Sequence, residues 1–192
     1  LNIEHQWTAP IYDLTGIEEM INLRSLDFWT EYGGTTMDLS QCVNLYSLGM
    51  DDAPNLSSLS LPSSGSLNHL AFTGYSFPIP IQSLDLSECD SLSQLWIFNV
   101  NLTSLDLSSC TSLDYIFLVG TDIDSLDLSN IQNPYHVDTE TNDQLAYLNL
   151  RNNNSWSLYS WDQTNLYCID VDDPVYSTAN SSVDTWTNFS SN

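Results

Sequence analysis

Apolar residues recur in this chain at a step of ten or eleven positions, and that recurrence predicts a right-handed parallel solenoid, a β-rich stack of coils. Three observations carry the prediction. Leucine or isoleucine stands at 92, 95 and 97, at 102, 105 and 107, at 113, 116 and 118, and at 123, 126 and 128. Each triplet reads LxxLxL, the triplets start 10, 11 and 10 residues apart, and two of them make a repeat of 21. A period of about 20–29 residues built on LxxLxL is the mark of an α/β-class leucine-rich repeat. One such unit cannot bury its apolar edge alone, whereas stacked coils align equivalent leucines into one continuous core. About seven coils with a cap at either end account for the whole chain, 1–192, as a single domain.

Residues 1–22 precede the repeats and read as an N-terminal cap. Within them Asp13-Leu-Thr-Gly-Ile-Glu-Glu-Met-Ile-Asn22 suggests a turn and a short helix, with Thr15 or Asp13 as N-cap and Glu18 and Glu19 near its positive end. Repeats begin at Leu23, Leu45, Leu67, Leu92 and Leu113, spaced 22, 22, 25 and 21, and further copies begin at Leu145 and Leu166. The repeat of 25 holds Phe77-Pro-Ile-Pro80, whose prolines favour an extended bulge. From 113 to 145 the gap is 32, which reads as 21 plus an insertion of 11. Polar residues in 130–144 make that insertion a loop projecting from repeats that otherwise run over 23–165. Residues 166–192 then supply a C-terminal strand and cap.

The two halves of each repeat differ. One half is nearly uniform, with Leu84-Asp-Leu-Ser87, Leu105-Asp-Leu-Ser108 and Leu126-Asp-Leu-Ser129, so that Asp85, Asp106 and Asp127 stand 21 apart as a ladder. The other half keeps its leucines and varies what lies between them. Strand alternation sends those varied residues away from the core.

The chain carries 25 acidic residues against two basic ones, Arg24 and Arg151, for a net charge of −23. Nucleic acid is excluded as a partner on that count, because phosphate binding needs Lys and Arg. No run of about 18 apolar residues exists to insert in a membrane. No basic, apolar signal segment opens the chain, as expected once an export signal has been cleaved. Cys42, Cys89 and Cys110 share one repeat position, after DLSQ, DLSE and DLSS, which predicts buried, reduced thiols.

These residues resemble the secreted leucine-rich repeat proteins of Bacteroidota, whose 21-residue repeats alternate an LxxLxC/L-xx-N half with an LTSLDLS half. Asp13-Leu-Thr-Gly-Ile-Glu18 with Leu23-Arg-Ser-Leu-Asp-Phe28 is similar to that family's opening cap and first strand. Leu166-Tyr-Cys-Ile-Asp-Val-Asp-Asp173, running on to Tyr176-Ser-Thr-Ala-Asn180, is similar to its closing cap. The resemblance implies a parallel solenoid, export, and often a type IX secretion sorting tail further downstream. It also implies an asparagine nine residues into each repeat. Here Glu31, Ala53, Tyr75, Val100 and Thr121 replace it, and Asn153 retains it.

No GxSxG, HExxH or phosphate loop is present, so the expectation is a protein without catalytic activity. No cofactor is implied, with calcium as the one candidate. Asp138, Glu140 and Asp143 place oxygen ligands at near-alternate positions without the glycine and distal glutamate of an EF-hand. A polar loop is the competing explanation for the same residues. Asp170, Asp172 and Asp173 form a second acidic cluster.

For binding, Trp96, Phe98, Tyr115, Phe117 and Tyr147 occupy outward positions on what reads as three successive strands, with His69 extending the patch. Water-facing aromatics grouped in this way suit glycan stacking and protein hot spots. The expected function is therefore an extracellular or bacterial cell-surface recognition module for a protein or glycan ligand. A structural spacer or adhesin segment stiffened by calcium, or an accessory domain of a polysaccharide-degrading system, are the alternatives.

Overall fold

A computed structural model describes residues 2–3, 10–29, 31–132, 134–153 and 158–191, with backbone alone for 2–3. Part of the expected N-terminal cap therefore lies outside the described residues. The rest is a parallel β-solenoid of the leucine-rich repeat type. Its long sheet has nine strands, all parallel. Seven of them, Ser25–Phe28, Ser47–Asp51, His69–Thr73, Gln94–Phe98, Tyr115–Val119, His136–Asp138 and Leu158–Ser160, lie between two-residue strands at Asn2–Ile3 and Ser182–Val183. The uniform half-repeats line the other side, as a pair (Thr36–Asp38, Ser58–Ser60) and as a four-stranded sheet of Ser125–Asp127, Tyr147–Asn149, Cys168–Asp170 and Asn188–Ser190.

Parallel strands present equivalent residues to their neighbours, so the sequence repeat becomes a set of columns. Leu26, Leu48, Leu70, Leu95, Ile116, Val137 and Leu158 form one inward column in direct register. Phe28, Met50, Phe72, Ile97 and Leu118 form the next. All of these are buried, as Cys42, Cys89 and Cys110 are. Each of those three cysteines donates its backbone N–H to the leucine three residues back, and Ile131 takes the same turn slot in the following coil.

In the N-terminal cap the helical segment is one 3-10 turn, Ile17–Glu19, and Gly16 holds the N-cap position at φ 94° instead of Thr15 or Asp13. Asp13 spends its Oδ1 on the amide and hydroxyl of Thr15, and the Glu18 carboxylate reaches back to the Gly16 amide. The closing cap is a helix, Pro174–Asn180, whose N-cap Asp173 accepts from the amides of Val175 and Tyr176, both at 3.0 Å.

Residues 130–144 are not an inserted loop. They contain the strand His136–Asp138, seated in the long sheet with Ile116 opposite Val137 and Val137 opposite Leu158. The gap of 32 is one full coil plus a half-coil, so Leu145 and Leu166 open uniform halves and not varied ones. The error has a physical source. The two halves share one LxxLxL pattern, so leucine spacing cannot tell 21 plus an insertion from one and a half coils.

The missing coil also hid a polar ladder. Thr121 donates its amide (2.8 Å) and hydroxyl (2.7 Å) to Asn142 Oδ1, and Asn142 donates its amide to Gln163 Oε1 at 3.2 Å. Gln163 in turn donates its amide to Asp184 Oδ2 at 2.8 Å. All four are buried. The ladder asparagine is thus Asn142, one varied half upstream of Asn153. Ala53 and Val100 fill the turn after the strand with apolar groups in the earlier coils.

Candidate aromatic recognition surface

The outward columns of the long sheet converge on an aromatic row. Trp96 and Phe117 stand in register on adjacent strands and stack at 4.2 Å between ring centroids, 8° from parallel. Strands about 4.8 Å apart bring equivalent rings to that spacing without distortion. The row continues through His136, 4.9 Å from Phe117, to Tyr159, 5.3 Å from His136. Four strands thereby carry one chain of ring contacts. Tyr115 and Tyr135 meet at 5.2 Å on one flank, and Phe98 and Tyr75 at 6.5 Å on the other. Trp96 stays 38% exposed and Phe98 45%, so the row faces water even where rings cover one another.

Four of the aromatic residues expected from the sequence come together here: Trp96, Phe98, Tyr115 and Phe117. Tyr147 does not join them. It lies on the four-stranded sheet, paired with Ser125 and Cys168's strand, and its hydroxyl donates to Asp170 Oδ2 at 3.4 Å. The half-coil slip explains the mistake, because Leu145 opens a uniform half. His69 is two strands from Tyr115 in the same outward column, with Gln94 between them, and its Nδ1 lies 3.0 Å from Gln94 Oε1. It extends the polar edge of the surface.

His136, Tyr159 and the exposed Trp161 belong to the surface and were missed. A signal for His136 was present: Tyr115, Ile116 and Phe117 recur 21 positions later as His136, Val137 and Asp138. Pro134, Val137 and Thr139, in place of Leu113, Ile116 and Leu118 one coil earlier, obscured it.

Acidic groups lie within this row. Asp138 faces Phe117 on one side and Tyr159 on the other. Burial pushes its carboxyl above the usual range. Burial also raises Glu140, with the charges of Asp138 and Asp162 adding to the effect. Asp143 is set apart, its Oδ1 accepting from the Thr164 hydroxyl at 3.2 Å. Among the described residues no three His, Cys, Asp or Glu side chains converge as a metal site would require. The closing-cap acids have other partners: Asp170 pairs with Arg151, Asp172 Oδ2 accepts from the amides of Asn152 and Asn153, and Asp173 caps the helix.

The opposite face is chemically quiet. Asp38, Asp85, Asp106 and Asp127 each accept the amide of the serine two residues on, at 2.9–3.1 Å. These aspartates close local turns, which explains their recurrence without a ligand. Among the described residues no helix is long and apolar enough to cross a membrane.

No protein-family model matches the chain, and no curated protein matches it either. Among solved structures it is similar to the functional domain of InlJ from Listeria monocytogenes, a domain described as including a cysteine ladder. The TM-score is 0.68 at 18% identity, and the likeness covers 97% of this chain and 39% of that one. The chain thus spans well under half the length of this structural neighbour, and at such identity the likeness bears on the leucine-rich repeat fold.

Proposed function

We propose that this domain is a non-catalytic recognition module that binds a protein or glycan through the aromatic row of its long sheet. The observation that carries the reading is the chain of ring contacts Trp96–Phe117–His136–Tyr159 across four adjacent strands, its end rings Trp96 and Tyr159 exposed and the two between them half-buried. A scaffold has no use for large rings in water, and such clusters mark interaction sites. Leucine-rich repeat solenoids commonly serve protein interaction, and the opposite, serine- and aspartate-rich face suits a solvated backing. The repeat and cap motifs, being similar to those of secreted Bacteroidota proteins, favour display outside the cell, joined to a sorting tail.

The experiment is a glycan array together with a pull-down from the native environment, comparing the wild type with Trp96→Ala/Phe117→Ala. Each anchor removed from a real site costs about 1 kcal/mol or more, roughly a fivefold loss of affinity. The double variant should therefore lose its ligand while keeping its circular dichroism spectrum. Equal retention of every ligand by both folded proteins would favour the structural spacer.

A further inference from the structure

We propose that the partner of this surface is a protein segment that lays an arginine guanidinium over the aromatic row and onto Asp138 and Glu140. The inference rests on the recognition reading above and narrows it from protein or glycan to a basic protein.

Position comes first. Asp138 is not on the rim: it sits in the same outward column as Trp96, Phe117 and Tyr159, with Phe117 and Tyr159 as its register partners. Any ligand that covers the rings also covers this carboxylate. Glu140 follows two residues later, its amide donating to Asp138 Oδ1 at 3.2 Å, and Asp162 lies near enough to act on it electrostatically. A neutral ligand would meet these carboxylates through hydroxyl or amide hydrogen bonds alone and leave them without an opposite charge, which is costly on burial.

Among the described residues no lysine or arginine lies beside them. The chain has no lysine and two arginines. Arg151 pairs with Asp170 on the other sheet, and Arg24 leads into a strand five places along the long sheet from His136–Asp138. Among the described residues the basic ring beside Asp138 is His136, which itself packs at a tilt between Phe117 and Tyr159. Burial already raises Asp138 and Glu140, so both would gain from a positive neighbour.

Geometry then selects the cation. Among the described residues no three acidic side chains converge as a bare metal ion would require. Guanidinium is flat, stacks on aromatic faces, and bonds carboxylates through a two-pronged edge. An ammonium would meet the charge without the stacking.

The test titrates the intact domain with a pentapeptide alternating tyrosine and arginine, read by calorimetry, against the same peptide carrying neutral citrulline. The arginine peptide should bind at least about tenfold more tightly. Asp138→Asn/Glu140→Gln should erase that difference, and Trp96→Ala/Phe117→Ala should weaken both peptides. Asp85→Asn/Asp106→Asn removes the same charge from the opposite face and should change nothing. Equal loss from that control pair would trace the attraction to net charge and overturn the proposal. Equal binding of arginine and citrulline peptides, still lost in Trp96→Ala/Phe117→Ala, would overturn it and leave aromatic recognition standing. Absence of binding by either peptide to the folded wild type would also overturn it, and the glycan array and pull-down would still decide the broader reading.

Discussion

At the scale of single residues, the repeat decides reactivity as well as packing. Cys42, Cys89 and Cys110 share one turn slot, and burial raises all three thiols, Cys89 to about 11 and Cys110 to about 12. Neighbouring carboxylates add to the effect. A thiolate is the reactive form, so at pH 8 these thiols stay inert in the folded protein. Cys168 is exposed on its strand. Native alkylation should therefore modify Cys168 alone, with the other three labelled only in denaturant without reductant. Mass spectrometry distinguishes the sites, and a Cys89–Cys110 disulfide would contradict the account.

At the scale of elements, what was legible was whatever repeated in leucine. The spacing of LxxLxL disclosed the coils through Ile123–Leu128, the uniform and varied halves, and the outward places of Trp96 and Phe117 on successive strands. It failed where polar residues took apolar slots. Thr139 and Ser160 follow Leu118 in the second inward column and are buried there, Thr139 donating its hydroxyl to Ser160 Oγ at 3.0 Å. Their polarity reads as loop, yet each group is satisfied by its counterpart one coil away, a pairing that no local pattern shows. From this slip followed the misplaced Tyr147 and the missed His136 and Tyr159. Asn142 tests the same register. Its side chain accepts two bonds from Thr121 and donates Nδ2 to Leu118 O at 2.6 Å. Asn142→Leu should strand these buried groups and cost about 2–4 kcal/mol in urea unfolding. Asn153→Leu, at the exposed position where the family pattern implies the ladder asparagine, should cost less. Equal effects would contradict the register.

At the scale of the molecule, a net charge of −23 sets how stability depends on pH. Two groups of carboxylates pull in opposite directions. Asp51, Asp138 and Glu140 are raised, chiefly by burial, so the folded state binds their protons more tightly than the unfolded chain. Stability should rise as pH falls from neutrality toward their folded values, above the ordinary range of about 3.9–4.3. Asp38 and Asp85 are lowered by the hydroxyl and amide of Ser40 and Ser87, and Asp106 by the amide and hydroxyl of Ser108. Their contribution is full above the unfolded values and is lost as pH falls through the folded ones. The melting temperature should therefore peak in mildly acidic solution, and Asp138→Asn/Glu140→Gln should flatten the rise. A steady decline from pH 7 downward would contradict this balance. The central claim, that one aromatic row on the long sheet binds the ligand, is tested most directly by two tyrosines of similar exposure on opposite faces. Calorimetry with the ligand identified by array or pull-down should show Tyr159→Ala losing about fivefold or more in affinity and Tyr147→Ala losing none. Loss in Tyr147→Ala with Tyr159→Ala unaffected would place binding on the other face and contradict the account.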